Sequence, residues 1–326
     1  MDRDLGINLA RVTEAAALAC GKFLGQGNKN ASDAAAVNEM RSMFNFFNIN
    51  GTVVIGEGEI DEAPMLYIGE QLGDKDAPHQ VDIAVDPIDG TSALSNGMPN
   101  AISVIAVAPK GNILNAPDVY MRKIAVGPKA KGLVDINKPV KENIQTLAKA
   151  LNKDVSEITV TVLKRERHDN LINEIRKTGA RIRMINEGDI LPAIEACMEG
   201  GTTDMLIGIG GAPEGIISAA AVKCLGGDFQ AIFWPNDGKQ VKRCMDKGVD
   251  LNKVYKIDDL VKGDDVIFAA TGVTGGFMLR GVEYLEGNVA KTESLLLRLP
   301  SGTTRYISSI HKLNQKYSTA KKAEEK

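Results

Sequence analysis

The segment Asp86-Pro87-Ile88-Asp89-Gly90-Thr91-Ser92 combines residue types that could bind a metal ion and a phosphate group. It follows a strand predicted over residues 81–86, which Pro87 is expected to end because it has no N–H to donate. Asp86 and Asp89 are three residues apart, so both carboxylates can converge on one cation. Gly90 lets the backbone approach a ligand closely, and the N–H groups of residues 90–92 are expected to open a short helix that could cradle a phosphate. The alternative is a surface turn, in which Asp-Pro and Asp-Gly dipeptides are common.

Three more acidic residues are expected at strand ends or helix starts, where open α/β sheets place ligands: Asp33, Glu57 and Glu214. Taken singly, each has an ordinary explanation as a helix cap, a solvated acidic loop or an acid stabilised by a helix dipole. Together with Asp86 and Asp89 they would repel one another by about 1–4 kcal/mol per pair at ~4 Å spacing. A divalent cation would remove that repulsion. Two cations ~3.5–4 Å apart would suit such a group, bridge a phosphate and generate a hydroxide at neutral pH.

Softer metal ligands are few and scattered through the chain. Its 4 cysteines and 3 histidines form neither a C-x-x-C pair nor an H-E-x-x-H motif, so Mg²⁺, Mn²⁺ or Ca²⁺ is favoured over zinc. The net charge of −3, with both signs interspersed, offers no basic stripe for nucleic acid. No apolar run is long enough to cross a membrane, and no signal peptide is recognisable. The sequence therefore predicts a cytoplasmic protein with reduced thiols.

Alternating helices and strands must position these residues, and the alternation predicts an α/β protein with helices packed on sheets in layers. Ser32 or Asp33 is expected to cap the second helix. The predicted helices cover residues 5–23, about 33–47, 169–178, 190–198 and about 213–225. The predicted strands cover residues 52–56, 81–86, 101–108, 158–163, 181–185, 204–209 and 266–270.

Other motifs with known chemistry are incomplete. The run Gly208-Ile209-Gly210-Gly211-Ala212-Pro213 begins like a dinucleotide-binding fingerprint, but Pro213 stands where the third glycine belongs. Neither a phosphate-binding P-loop nor a G-x-S-x-G elbow is present. The basic stretch over residues 164–168 is either a solvated helix start or a clamp for a second phosphate, for which arginine offers bidentate geometry.

Several longer blocks resemble the bacterial class II fructose-1,6-bisphosphatases. They are VIGEGEIDEAPMLYIG (residues 54–69), NAPDVYM (115–121), RHD (167–169), GIGGAPEG (208–215) and ATGVT (270–274). The segment over residues 86–92 also resembles the signature of the wider superfamily of metal-dependent, often lithium-sensitive sugar and inositol phosphatases. The resemblance covers residues 5–312. It implies a layered α-β-α-β-α sandwich, and removal of the 1-phosphate of fructose 1,6-bisphosphate to give fructose 6-phosphate in gluconeogenesis.

The resemblance also implies roles for individual residues. The metal ligands, for Mn²⁺ or Mg²⁺, are Asp33, Glu57, Asp86, Asp89 and Glu214. The catalytic residues are Thr91, whose hydroxyl helps to activate the attacking water, with Asp61 and Lys29 near the site. The substrate contacts are Asp89, Gly90, Thr91, Tyr120, Arg165, Glu166, Arg167, Glu187, Gly188, Asp189 and Gly211.

This chain departs from the family pattern at three places. Asp89 stands where the family usually has Glu, Arg165-Glu166-Arg167 replaces a common Lys-Pro-Arg, and Glu187 replaces a commoner Asp. The substrate alternatives are therefore sedoheptulose 1,7-bisphosphate and inositol or nucleotide phosphate monoesters. A sugar-phosphate sensor without turnover is the alternative from another class of protein.

The expected organisation is one catalytic unit over residues 1–312 with a flexible charged tail over residues 313–326. Within the unit, residues 1–150 are expected to form a half that binds metal and phosphate, and residues 151–312 a half that binds the sugar phosphate. The expected partner is a small sugar bisphosphate, with no nucleic acid or membrane, and the protein is expected to form a homo-oligomer, either a dimer or a tetramer.

Overall fold

Two β-sheets run through the computed structural model, which describes residue 1 and residues 4–58 and 65–315. The first sheet contains β1 (Asn50–Ile55), β2 (Gln71–Gly73), β3 (Gln80–Asp89), β4 (Ile102–Pro109), β11 (Ile267–Gly272), β12 (Glu283–Leu285), β13 (Val289–Arg298) and β14 (Thr303–Lys312). The second contains β5 (Tyr120–Val126), β6 (Thr159–Leu163), β7 (Arg181–Ile185), β8 (Met205–Gly211), β9 (Asp228–Trp234) and β10 (Tyr255–Lys256). The α-helices are α1 (Leu5–Cys20), α2 (Lys29–Met43), α3 (Thr91–Ser95), α4 (Val140–Leu151), α5 (Asp169–Thr178), α6 (Ile190–Glu195), α7 (Ala212–Cys224), α8 (Gly238–Asp246) and α9 (Ile257–Leu260).

Both sheets mix parallel and antiparallel strands. The order in the first sheet is β12-β13-β11-β4-β3-β1-β2, with β14 also paired to β13. The order in the second sheet is β10-β9-β5-β8-β6-β7. Strands β1 and β3 are parallel, as are β6 and its neighbours β7 and β8, whereas β4 and β5 pair with antiparallel neighbours. Such mixed sheets exclude the all-parallel arrangement of a doubly wound dinucleotide-binding fold.

Three apolar clusters hold the helices and the sheets together in layers. Helices α1 and α2 pack on the outer face of the first sheet, and α4 and α5 pack on the outer face of the second. Helices α6, α7 and α9 lie in the cluster between the sheets, which also contains Val104 of β4 and Met121 of β5. The neighbouring residue Ile105 belongs to the outer cluster instead, because successive side chains of a strand point to opposite faces. The predicted α-β-α-β-α sandwich is confirmed.

The division between the sheets does not follow the boundary expected near residue 150. Strand β5, at residues 120–126, already belongs to the second sheet, and β11 to β14 return the chain to the first sheet. The reason is the antiparallel pairing of β11 with β4, which inserts the end of the chain beside strands from its beginning. The first 3 residues of the predicted tail, 313–315, follow β14, and the remainder lies outside the described residues.

Several elements occur where the sequence predicts them, and two local expectations are wrong. Helix α5 and strand β7 have the predicted bounds. The second helix begins at Lys29, because Asn28 Oδ1 accepts the N–H of Ala31 at 3.1 Å and caps it earlier than Ser32 or Asp33 would. Strand β3 does not end at Pro87 but continues to Asp89. Within the described ranges, none of the helices combines the length and apolar character that a membrane span needs.

Candidate active site

An irregularity in β3 brings two acidic side chains to one face of the sheet. Asp86 pairs with Val104 of β4 and Asp89 pairs with Ile102, so three steps along β3 match two steps along β4. In a regular strand, residues three apart point to opposite faces. The extra residue of this β-bulge therefore places Asp86 and Asp89 on the same face as Val104 and Ile102, toward the layer between the sheets. Pro87 is accommodated here because it lies within the bulge.

Helix α3 starts directly after the bulge and presents Thr91 beside Asp33. Gly90 precedes the helix with φ of 101°, and a Cβ there would lie 3.2 Å from Ala101 Cα, so glycine is required. Thr91 Oγ1 lies 3.3 Å from Asp33 Oδ1 and 3.2 Å from the carbonyl oxygen of Ile88, and it can donate its proton to either. The predicted short helix after Gly90 is thus confirmed. The contact of Thr91 with Asp33 connects this helix to α2.

Lys29 reaches α3 from the first residue of α2. It is exposed, and its Nζ donates to Ser92 Oγ at 2.6 Å. Asp33 lies one turn further along α2 and is partly buried. Lys29 is therefore next to the first turn of α3 but does not line the cavity described below.

Glu57 and Glu214 reach the same place from β1 and α7. Glu57 follows the end of β1, and its N–H donates to Leu66 O at 3.0 Å. Glu214 lies in the first turn of α7, as predicted from Pro213 before it. Asp61, also expected near the site, lies outside the described residues.

A cavity of about 400 Å³ is lined by Thr91 and by the five acidic residues Asp33, Glu57, Asp86, Asp89 and Glu214. Two of its carboxyl oxygens, Asp89 Oδ2 and Glu214 Oε2, are buried and have no hydrogen-bond partner in the part of the chain that the structure describes. Neither Lys29 nor Glu166 contributes to its lining. The predicted site residues that do line it are Asp33, Glu57, Asp86, Asp89, Gly90, Thr91, Tyr120, Arg165, Arg167, Glu187, Gly188, Asp189, Gly211 and Glu214.

The five candidate metal ligands hold their protons more tightly than isolated carboxyl groups do. Loss of hydration, followed by the charge of Asp89, raises the pKa of Asp86 well above its usual range. Loss of hydration, followed by the charge of Asp189, does the same to the pKa of Asp89. Burial also raises the pKa values of Asp33 and Glu214.

The pKa of Glu57 is raised to about 7 by loss of hydration and then by the charges of Asp33 and Glu214. Glu57 is exposed at the rim of the cavity, however, so solvent screens part of this effect.

The residues present fit a divalent cation. Five candidate ligands line one cavity, and two of their oxygens are buried with no hydrogen-bond partner among the described residues. Loss of hydration, and at Asp86 and Asp89 also the charges of neighbouring acids, raises their pKa values, and a cation would offset both costs. Within the described ranges no three His, Cys, Asp or Glu side chains are grouped as a metal cluster. All five candidates are oxygen donors, which suits Mg²⁺ or Mn²⁺.

Two arginines, Arg165 and Arg167, also line the cavity. The guanidinium of Arg167 donates to the carbonyl oxygen of Ile209 from Nε at 3.2 Å and from Nη2 at 2.9 Å, and it lies 4.7 Å from the ring centroid of Tyr120. Arg165 is exposed, and its Nη1 donates to Lys164 O at 2.9 Å. Two guanidinium groups at the edge of an acidic cavity can bind an anion that the carboxylates would repel.

A buried histidine supports this basic edge. The N–H of Ile209 donates to His168 Nε2 at 2.7 Å, so His168 Nδ1 carries the proton and donates to Leu163 O at 2.7 Å. Burial lowers the pKa of His168, which favours this neutral form. Arg167 binds the carbonyl oxygen of the same Ile209. His168 therefore holds in place the part of β8 to which Arg167 is hydrogen-bonded.

Sequence reasoning missed two charged residues near the cavity. Asp118 is part of the cavity lining, and Lys123 is buried on β5, where it pairs with Asp189. A signal for Lys123 was available, since it is a lysine in a strand whose next three residues are apolar. A lysine at such a position is rarely buried without an acidic partner.

Known proteins similar to this chain share one activity in their names. The family described as "Bacterial fructose-1,6-bisphosphatase, glpX-encoded" matches residues 3–311. Fructose-1,6-bisphosphatase 1 class 2 of Escherichia coli K12 is 49% identical over 329 residues, which cover 97% of each chain. Proteins named fructose-1,6-bisphosphatase class 2 from Escherichia coli O6:H1 and Shigella flexneri give the same values.

Solved structures show weaker similarity. The extragenic suppressor protein SuhB from Bartonella henselae has a TM-score of 0.39 at 12% identity, covering 78% of this chain and all of that protein. An extragenic suppressor from Pyrococcus furiosus has a TM-score of 0.30 at 13% identity, covering 59% of this chain and 68% of the other. These scores are too low to support any conclusion about this chain.

Proposed function

The chain belongs to the bacterial fructose-1,6-bisphosphatase family, and we propose that its acidic cavity is where it hydrolyses fructose 1,6-bisphosphate to fructose 6-phosphate and phosphate. As a member of this family it is a phosphoric monoester hydrolase that depends on a divalent metal ion. The observation that carries the proposal is that one cavity is lined by eight acidic residues, five of them the candidate metal ligands, and also by two arginines. A bisphosphate needs both kinds of group, because the phosphate that stays must be held while the other reacts.

The carboxylates are the proposed holders of the metal, namely Asp33, Glu57, Asp86, Asp89 and Glu214. A divalent cation in such a site supplies Lewis acidity for the phosphoryl oxygens and makes water nucleophilic at neutral pH. Mn²⁺ and Mg²⁺ are the proposed ions, because both accept carboxylate oxygens.

Thr91 is the proposed residue that orients the attacking water. When its hydroxyl donates to Asp33 Oδ1 or to Ile88 O, the lone pairs of Oγ1 remain free to accept a hydrogen bond from the water. Asp61 and Lys29 stay predictions as catalytic residues, and the contact of Lys29 with Ser92 supports a role in holding α3.

The distal phosphate is proposed to bind Arg165 and Arg167, with the Tyr120 ring beneath the guanidinium of Arg167. The sugar is proposed to lie along Glu187, Gly188, Asp189 and Gly211, which are part of the cavity lining. A contact from Glu166 stays a prediction, since its side chain is exposed and outside that lining. Further proposals are a cytoplasmic location, a place in gluconeogenesis and a homo-oligomeric state, with no nucleic acid or membrane as partner.

The test is phosphate release from fructose 1,6-bisphosphate and a panel of other sugar and inositol phosphates, with Mn²⁺ or Mg²⁺ and with excess chelator. Glu214→Gln should lower metal-dependent turnover at least 100-fold, because it removes a ligand charge while keeping the side-chain volume. The matched control is Glu174→Gln on the exposed side of α5, which should keep the wild-type rate. Wild-type turnover by folded Glu214→Gln protein would exclude the proposed metal site, and a stronger preference for another phosphate ester would exclude the proposed substrate.

A further inference from the structure

Lys123 is a buried cation at the base of the acidic cavity. It lies on β5 with 1% of its surface exposed. Its Nζ lies 2.7 Å from Asp189 Oδ2 and donates to the carbonyl oxygen of Gly211 at 3.2 Å. Asp189 is itself only 5% exposed, and it lines the cavity. The ion pair is thus largely shielded from bulk water, yet Asp189 lines the space proposed for the substrate.

The neighbouring strand is shaped to admit this ion pair. A Cβ at Gly210 would lie 2.3 Å from Asp189 Oδ2 and 2.9 Å from Lys123 Nζ. Any side chain at this position of β8 would therefore displace the carboxylate, the amine or both. Gly210 belongs to the glycine run that resembles a dinucleotide fingerprint, and here that glycine makes room for a charge pair beside the cavity.

We propose that Lys123 is a positioning residue that acts through Asp189, fixing its carboxylate to accept hydrogen bonds from the hydroxyl groups of the sugar. This inference rests on the proposed function, since it assigns Asp189 to the sugar of the same substrate. A free carboxylate among like charges would rotate away from them, and the bond to Lys123 prevents that rotation.

A stabilising role alone does not explain where the pair lies. Burying two charges costs hydration energy that their attraction offsets only in part, so such a pair is weak evidence for stability. Asp189 also precedes α6, and its side chain makes no capping hydrogen bond to that helix. Its carboxylate is turned toward Lys123 and the cavity instead.

The experiment is a double-mutant cycle on the full-length protein with Lys123→Met, Asp189→Asn and the two combined. Binding of fructose 6-phosphate is measured by calorimetry without metal, and KM and kcat for fructose 1,6-bisphosphate are measured with Mn²⁺. Each single variant should weaken fructose 6-phosphate binding about 10-fold or more, as expected for a lost charge-assisted hydrogen bond. The double variant should bind no more weakly than Asp189→Asn, because Lys123 has no effect once its target is neutral.

Lys223→Met is the control for loss of a lysine ion pair elsewhere, since Lys223 pairs with the exposed Asp258 at 2.6 Å and does not line the cavity. It should bind fructose 6-phosphate like wild type. Mn²⁺ binding, also measured by calorimetry, should persist in Lys123→Met, because Lys123 is not a ligand, whereas collapse of the cavity would abolish it.

Wild-type affinity in folded Lys123→Met would overturn the inference. So would a double variant that binds at least 10-fold more weakly than Asp189→Asn, because Lys123 would then act by another route. If Lys123→Met does not fold, the comparison of Asp189→Asn with the uncharged double variant decides alone. If wild type neither binds fructose 6-phosphate nor hydrolyses the bisphosphate, the proposed function fails; if it does both and the losses are additive, only the role of Lys123 fails.

Discussion

At the scale of single residues, Gly211 and Glu214 depend on each other. Gly211 ends β8 directly before α7, and Glu214 lies in the first turn of that helix. A Cβ at Gly211 would lie only 1.9 Å from Glu214 Oε2, the buried oxygen that no described residue hydrogen-bonds. The position of this candidate metal ligand therefore requires a residue without a side chain three positions earlier.

Gly211→Ala should consequently displace the Glu214 carboxylate and lower metal-dependent turnover about 100-fold, the loss typical of a 1 Å displacement in an active site. The measurement is the initial rate against Mn²⁺ concentration, with circular dichroism as the check on folding. Gly238→Ala is the matched control, since no atom lies within 4 Å of a Cβ at that position. A folded Gly211→Ala protein with the wild-type rate would show that Glu214 is not needed where it lies.

Arg167 allows the basic edge of the cavity to be tested separately from the acidic side. Arg167→Ala should raise KM for the bisphosphate about 10-fold or more, because charge-assisted hydrogen bonds contribute ~1.5–3 kcal/mol. A phosphate monoester without the distal phosphate should be hydrolysed as by wild type. Arg176→Ala, at an exposed position of α5, provides the control. An equal loss with both substrates would contradict a role for Arg167 as the distal anchor.

At the scale of elements, the bulge in β3 is what the sequence could not predict. The apolar pattern of residues 81–85 indicated a strand, and Pro87 favoured its end, yet the strand runs on to Asp89. A bulge depends on the register with β4, which is a long-range property that residues 86–89 do not encode by themselves. The convergence of Asp86 and Asp89 was nevertheless expected, because both carboxylates occur in one recognisable motif.

Other elements also could or could not be predicted according to whether their signals are local in the sequence. Helix α5 could be predicted to the residue because its apolar positions and the glycine at its end are local signals. Strand β14 has no such signal: most of its residues are exposed, and it is held by pairing with β13 along ten residues. Lys123 was missed for a related reason, since its burial depends on Asp189, which lies 66 positions away in the chain.

The start of α2 offers a prediction at this scale. Asn28 caps the helix through the N–H of Ala31, and the helix carries Lys29 and Asp33 in its first turns. Asn28→Ala should lower the free energy of unfolding by about 1 kcal/mol, and Asn28→Ser should restore most of it. Urea denaturation measures both. Asn30→Ala changes the same type of residue in the same turn without removing the cap, so an equal loss in that variant would contradict the assignment of the cap.

At the scale of the whole molecule, the cavity combines residues from both sheets and from the helix layer between them. The first sheet and its outer helix α2 contribute Asp33, Asp86 and Asp89, the middle layer contributes Glu214, and the second sheet contributes Tyr120. Repulsion among the carboxylates is therefore a property of the assembled fold and is absent from the unfolded chain. The stability of the protein should consequently depend on pH and metal together.

The direction of this dependence follows from the raised pKa values. Between pH 4.5 and about 7 the folded protein keeps a proton on Glu57 that the unfolded chain has released, so stability from this group is lost as the pH rises through that window. The raised pKa values of Asp86 and Asp89 act in the same direction. Metal binding requires the same groups to lose their protons, so stabilisation by Mn²⁺ should grow as the pH rises.

The measurement is the thermal unfolding midpoint at pH values from 5 to about 8, with chelator and with Mn²⁺. Histidines and surface carboxylates also titrate in part of this range, so the informative quantity is the difference between wild type and Glu57→Gln at each pH. Without metal, that difference should shift in favour of Glu57→Gln as the pH rises, because the amide has no proton to lose. With Mn²⁺ the order should reverse above pH 7, since only the carboxylate binds the ion. Parallel curves for the two proteins under both conditions would mean that Glu57 neither resists ionisation in the folded protein nor contacts the metal.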